Sequence, residues 1–320
     1  MYLISNKTNS DILNNLGNEF IRPLLSILQE AAATKQSIFT TSSFCNAPEK
    51  TQTAIRDSMP VVNDRLSLND LCERIVQKST GQTLSGILNL YDQQTKTITS
   101  GDYDIAKTNI PADVSRLFSK YLYDELFDYE PLWSALGYSR LTRQVFHKNF
   151  RADNNYPSCC PYCDLDTING QGNCVVEHFL PRKYFPLLSL NSNNLFSTCN
   201  SCNLGAAGKG INVVTKVTTP YVDEIGELVE FEFDNVKKQV SISSAPLRED
   251  VKGFLDLLQL PTRYRDVNTW HQFRGRTEAF VAAVAGRGYS EDEMVEYARK
   301  FSKGAVLNYA LLSWVRSNYN

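Results

Sequence analysis

Four of the eight cysteines in this 320-residue chain stand in two Cys-x-x-Cys pairs, Cys160/Cys163 and Cys199/Cys202. Thiolates are the ligands zinc prefers, and two such turns supply the four that close a tetrahedral structural site. With every position filled by sulfur, no coordination site is left for a substrate. Cys159 adjoins Cys160, but only Cys160 has the two-residue spacing to Cys163. Between the pairs lie Glu177 and His178, and Asn194 and Asn203 follow at fixed offsets. His178 is one of three histidines. A nearly neutral imidazole can take a proton from water, while a carboxylate and an amide oxygen can hold a hard cation that neutralises a phosphate and helps its leaving oxygen. Those are the needs of phosphodiester hydrolysis. Asn203 also suits a helix cap, and Arg182 and Lys183 suit either a phosphate or solvent.

These residues need a scaffold. The run CVVEHF at 174–179 is β-prone, and successive side chains of a strand face opposite ways. Glu177 and His178 can therefore serve one point only where the strand ends or twists, and Pro181 soon ends the run. LFST at 195–198 offers a second strand, and NSCNLGAAGK a turn or helix carrying Asn203. GAAGKG at 205–210 has the look of a phosphate-binding glycine loop. However, Gly210 stands where Ser or Thr is needed, and no clear strand precedes it. Its glycines more simply let the chain leave the cysteine turn.

The order Cys-x-x-Cys, acid-His, Asn-Leu, Cys-x-x-Cys-Asn resembles the HNH nuclease family and its ββα-metal motif, over roughly 50 residues of this chain. The resemblance implies His178 as general base and Glu177, where Asp is more usual, as ligand of a catalytic Mg²⁺ or Mn²⁺. It implies Asn194 as the residue pinning the long loop, and Asn203, in the last histidine position, as second ligand of that ion. It further implies an endonuclease acting on nucleic acid, DNA ahead of RNA, with zinc (Zn²⁺) holding the fold. The tail loosely resembles HNH proteins of bacterial retron and anti-phage defence modules, which implies a partner ATPase. The competing reading is a non-catalytic zinc module that binds nucleic acid or protein.

The expected fold is α+β: a mainly helical protein around a central zinc-stapled ββα domain. Residues 1–139 read as a helical N-terminal region, 140–210 as the nuclease core, and 211–320 as a β-hairpin followed by helices. Ile12, Leu16, Phe20, Leu24 and Leu28 form a helical stripe that Pro23 can kink or divide. The Thr-, Ser- and Asn-rich stretch after it, with Pro48 and Pro60, reads as loop or irregular surface, and residues 91–108 are polar and broken by Gly101. Ser67-x-x-Asp70 and Ser290-x-x-Glu293 have the capping-box pattern. Pro111 opens another helical stretch, and Asp124, Glu125, Asp128 and Glu130 read as its solvated side.

Net charge is -2 with ordinary composition, so no chain-wide attraction to polyanions is expected. Charge is not even, however. Residues 140–210 carry 7 basic against 4 acidic side chains, while 1–139 carry 12 against 16 and 211–320 carry 14 against 15. Arg140, Arg143, Lys148 and Arg151 lead into the cluster and are candidate polyanion contacts. The start MYLISNKTNS has no signal-peptide pattern and no 18-residue apolar run occurs, so neither secretion nor a membrane span is expected. Cys45, Cys72, Cys159 and Cys174 make no convincing disulfide framework, which points to a reducing, cytoplasmic setting.

Overall fold

The computed structural model describes residues 1–155, 157–169, 172–206, 208–302 and 305–319. It is mainly helical, with three two-stranded sheets, and belongs to the expected α+β class. The chain divides into two compact units that do not follow chain order. One comprises Asn6–Phe150 and His178–Phe196; the other comprises Met1–Ser5, Arg151–Glu177 and Ser197–Asn320.

The first unit is built on helices. The stripe read from the sequence is two α-helices, Lys7–Leu16 and Arg22–Thr34, joined by the π-helical turn Gly17–Ile21. Pro23 lacks an N–H and its ring crowds the preceding turn, so a widened turn just before it relieves both. The helix Arg22–Thr34 buries Leu24, Leu25, Ile27, Leu28, Ala31 and Ala32 and packs on the helix Gly81–Thr99. Their approach depends on Gly81, where a Cβ would lie 2.7 Å from that of Ala33.

Part of the stretch read as loop is helical, and so is part of the polar 91–108 segment. Glu49–Ser58 buries Thr51, Ala54, Ile55 and Ser58, and Gly81–Thr99 runs through half of the 91–108 segment with Tyr91, Gln94 and Ile98 inside. Small hydroxyl and amide side chains occupy helical core positions there, so the apolar periodicity is faint. The ribbon of β1 (Val62–Asn63) and β2 (Leu66–Ser67) leads into the helix Leu68–Lys78, which starts at the expected Ser67–Asp70 capping box. After Pro111 comes a short helix, Ala112–Arg116, and then a π-helix, Leu117–Glu125. The acids read as solvated are mostly engaged here: Asp124 with Lys120 and Arg182, Asp128 with Arg143, and Glu125 with the Asn63 amide. Of the four, Glu130 is the exposed one.

β3 (Cys174–His178) and β4 (Leu195–Cys199) form a two-stranded sheet where the sequence pattern placed strands, and each passes from one unit into the other. In the second unit, β5 (Val229–Asp234) and β6 (Gln239–Ser244) make the expected antiparallel hairpin, with Val229 opposite Ser244 and Asp234 opposite Gln239. Asp234 closes its turn by accepting the Val236 and Lys237 amides. One face of this hairpin is aromatic: Phe233 stacks on Phe273 at 4.6 Å and Phe231 meets Tyr264 at 5.7 Å. The chain ends in the helices Glu291–Ser302 and Asn308–Tyr319; the Ser290–Glu293 capping box starts the first. Lys303 and Gly304, between them, lie outside the described residues.

Candidate metal centre

Cys160, Cys163, Cys199 and Cys202 are all buried and lie in one unit. Their four sulfurs fall within 4.8 Å of one another, with Cys160 Sγ 3.9 Å from Cys202 Sγ and Cys163 Sγ 3.8 Å from Cys199 Sγ. Four ligands at the Zn–S length of about 2.3 Å on tetrahedral corners stand about 3.8 Å apart, whereas a disulfide needs about 2 Å. The spacing fits a metal such as zinc and excludes a pair of disulfides.

The surroundings suit such an ion. The amides of Leu165 and Cys199 donate to Cys163 Sγ and Cys160 Sγ at 3.4 and 3.3 Å. Arg263, 61 residues beyond Cys202 in the chain, donates to Cys202 Sγ at 3.2 Å and pairs with Asp166 at 2.8 Å. Four thiolates around a divalent ion leave a net negative charge, which this guanidinium offsets. Its place beside the sulfurs has no signal in the sequence, because an isolated Arg in a helical segment looks like any other. Gly208 closes the turn: a Cβ there would overlap the carbonyl oxygens of Ser201 and Cys202, and the Lys209 amide donates to Cys202 O at 2.9 Å.

The boundary between the units falls between Glu177 and His178, the last two residues of β3. Both are buried. In its own unit, Glu177 pairs through Oε1 with the ammonium of Lys209 at 2.7 Å; that ammonium also donates to Gly210 O at 2.8 Å. Lys209 is fully buried. It is the main residue that sequence reasoning missed. The available signal was a lone lysine in GAAGKG, set aside with the glycine-loop pattern. Asn203 ends the four-residue helix Asn200–Asn203, half-buried, in this same unit.

In the other unit, His178 Nε2 lies 3.0 Å from the carbonyl oxygen of Ser189. A carbonyl only accepts, so Nε2 donates in this contact. The imidazole also meets the ring of Tyr123 edge-on, with centroids 4.4 Å apart. Tyr123 sits in the π-helix and carries two guanidinium groups near its ring, Arg182 at 4.8 Å and Arg143 at 5.0 Å. Asn194 is fully buried and ties the loop between the strands. Its Oδ1 accepts from Leu180 N at 2.7 Å, and its Nδ2 donates to Leu180 O and Leu188 O at 3.0 and 3.2 Å.

The basic candidates separate by commitment. Arg182 bonds Asp124 and donates to Ser119 O, and Arg143 bonds Asp128 and Tyr123 O, so both hold the π-helix. Lys183 is exposed, and its ammonium and that of Lys107 lie 5.4 and 4.3 Å from the ring of Tyr184. Arg140 and Lys148 are also exposed, whereas Arg151 is half-buried. Of the other histidines, His271 is exposed; His147 is half-buried, and burial pushes its imidazole down to about 4.

No family model matches the chain, and no solved structure matches it. A region aligned over 117 residues is 26% identical to "Protein ea31" of Escherichia phage lambda. That alignment takes in 32% of this chain and 39% of the phage protein, so the chain spans well under half the length of this relative. Among the described residues no helix is long and apolar enough to cross a membrane.

Proposed function

We propose that this chain is a metal-dependent endonuclease of HNH type, hydrolysing phosphodiester bonds, with DNA ahead of RNA as substrate. The observation that carries the reading is the orientation of His178: its buried imidazole is held through Nε2 against Ser189 O at 3.0 Å. In the proposed reaction Nδ1 removes a proton from the attacking water. Oriented imidazoles of this kind are efficient general bases near neutral pH. Asn194 fixes both ends of the stretch from Leu180 to Leu188, next to Ser189, and so holds the carbonyl that orients His178.

Glu177 and Asn203 offer a carboxylate and an amide oxygen, a donor set suited to hard Mg²⁺ or Mn²⁺ rather than zinc. An ion held there would neutralise the phosphate and the leaving oxygen. The four cysteines hold a separate, structural zinc. Lys183, Lys107 and Tyr184 offer exposed charge and a ring face for a nucleic-acid strand. Action within a defence module alongside a partner ATPase rests on the loose likeness of the tail alone, and a cytoplasmic setting on cysteines that form no disulfide framework.

One contact favours the competing reading of a non-catalytic zinc module that binds nucleic acid or protein: Glu177 already carries the Lys209 ammonium. The two readings part on substitution. If the nuclease reading holds, His178→Ala and Asn203→Ala abolish Mn²⁺-dependent cleavage while nucleic-acid binding and zinc content stay normal. If only Cys202→Ser has an effect, and it removes binding, the non-catalytic reading stands.

A further inference from the structure

We propose that Lys209 is a built-in competitor for the cation position at Glu177, setting the divalent-ion concentration at which that position loads. The inference rests on the reading of Glu177 as an ion ligand and goes beyond it to regulation.

The ammonium stands 2.7 Å from Glu177 Oε1, at the carboxylate that a divalent ion would use. It has little freedom to withdraw. Lys209 is fully buried, its amide is bonded to Cys202 O, and Gly208 before it sits against the Cys202 carbonyl. The cysteine turn therefore delivers this charge to Glu177 as part of its own fold. A buried ammonium and a divalent cation repel strongly at such range, so an ion bound directly to Oε1 must displace Nζ, and Nζ must find other acceptors in an apolar setting. Gly210 O already accepts from Nζ at 2.8 Å and can keep that bond, so displacement costs the ammonium its carboxylate partner. The coupling is reciprocal: whatever strengthens the Lys209–Glu177 pair weakens ion binding by the same factor.

The test is Mn²⁺ binding to zinc-loaded full-length protein, read by the electron paramagnetic resonance of free Mn²⁺ and independent of any cleavage. Lys209→Met keeps the length and removes the charge. It is expected to bind Mn²⁺ at least tenfold more tightly than wild type, and its melting temperature should rise more with added Mn²⁺. Glu177→Gln should lose this Mn²⁺ site, with zinc content unchanged. Equal or weaker Mn²⁺ binding by a folded Lys209→Met protein would overturn the proposal. So would the absence of any Mn²⁺ site removed by Glu177→Gln, which would also remove Glu177 as an ion ligand. Cleavage that survives His178→Ala while the Mn²⁺ pattern holds would overturn only the catalytic role of His178. Should Lys209→Met not fold, a Mg²⁺ titration of wild type followed by the Lys209 ¹³Cε resonance decides. A shift that saturates with ion binding is expected; an unmoved resonance overturns the competition.

Discussion

At the scale of single residues, this protein concentrates buried polarity where its chemistry is expected. Asn194 uses both ends of its amide on backbone groups of Leu180 and Leu188, and no apolar residue of similar size can replace those bonds. Asn194→Ala leaves a buried amide and two carbonyls short of partners, and is expected to cost about 2–3 kcal/mol in urea unfolding. Breaking the Lys209–Glu177 pair leaves one buried charge without its counter-ion. Without added divalent ion, Lys209→Met is expected to cost about 3–5 kcal/mol, against under about 1 kcal/mol for Lys252→Met in the exposed Lys252–Asp256 pair. His147 gives a pH dependence of known sign. Burial holds it at about 4, below the roughly 6.5 of an unfolded histidine. Its contribution to stability is therefore complete above pH about 6.5 and is lost as pH falls towards 4. The His147 ring proton should titrate near 4 by NMR, and His147→Gln should flatten the loss of stability over that window. A midpoint near 6.5 would contradict the burial.

At the scale of elements, the cysteine turn depends on one backbone position. Gly208→Ala puts a methyl into the carbonyls of Ser201 and Cys202. The turn must shift, and the variant is expected to give up zinc to a chelator at least tenfold faster than wild type. Release at the wild-type rate would mean the turn can relax. The elements also show what the sequence makes legible. Where signals are local, as in the Ser67–Asp70 capping box, the β5–β6 alternation and the two Cys-x-x-Cys turns, the expected element is present. The helices Glu49–Ser58 and Gly81–Thr99 hid because Thr51, Ser58 and Gln94 occupy core positions, so burial by neighbours rather than apolar periodicity makes them helical. The Asp124 and Asp128 ion pairs hid for a related reason: their partners Arg182 and Arg143 are distant in sequence, and the partnership exists only in the fold. Lys209 hid because nothing in GAAGKG shows that its glycines turn a charge inward.

At the scale of the whole molecule, the metal-site cysteines fall in one of the two compact units. Cys160, Cys163, Cys199 and Cys202 all belong to the unit of Met1–Ser5, Arg151–Glu177 and Ser197–Asn320, where a metal held between them would close the 36-residue separation between Cys163 and Cys199. Zinc removal should therefore act selectively. Hydrogen exchange after chelation is expected to lose protection at Cys160–Cys163 and Ser197–Asn203, while the helices Arg22–Thr34 and Gly81–Thr99 keep theirs. Uniform loss across both units would show that the metal supports the entire fold.

The central claim is that the chain is a nuclease whose general base is His178. It is tested most directly by incubating zinc-loaded wild type and His178→Ala with plasmid DNA and single-stranded RNA, in Mn²⁺ and in EDTA. Cleavage by wild type in Mn²⁺, its absence in EDTA, and a loss of at least 10²-fold in the variant at equal zinc content are the expected results. Equal cleavage by both proteins in Mn²⁺ would contradict the account.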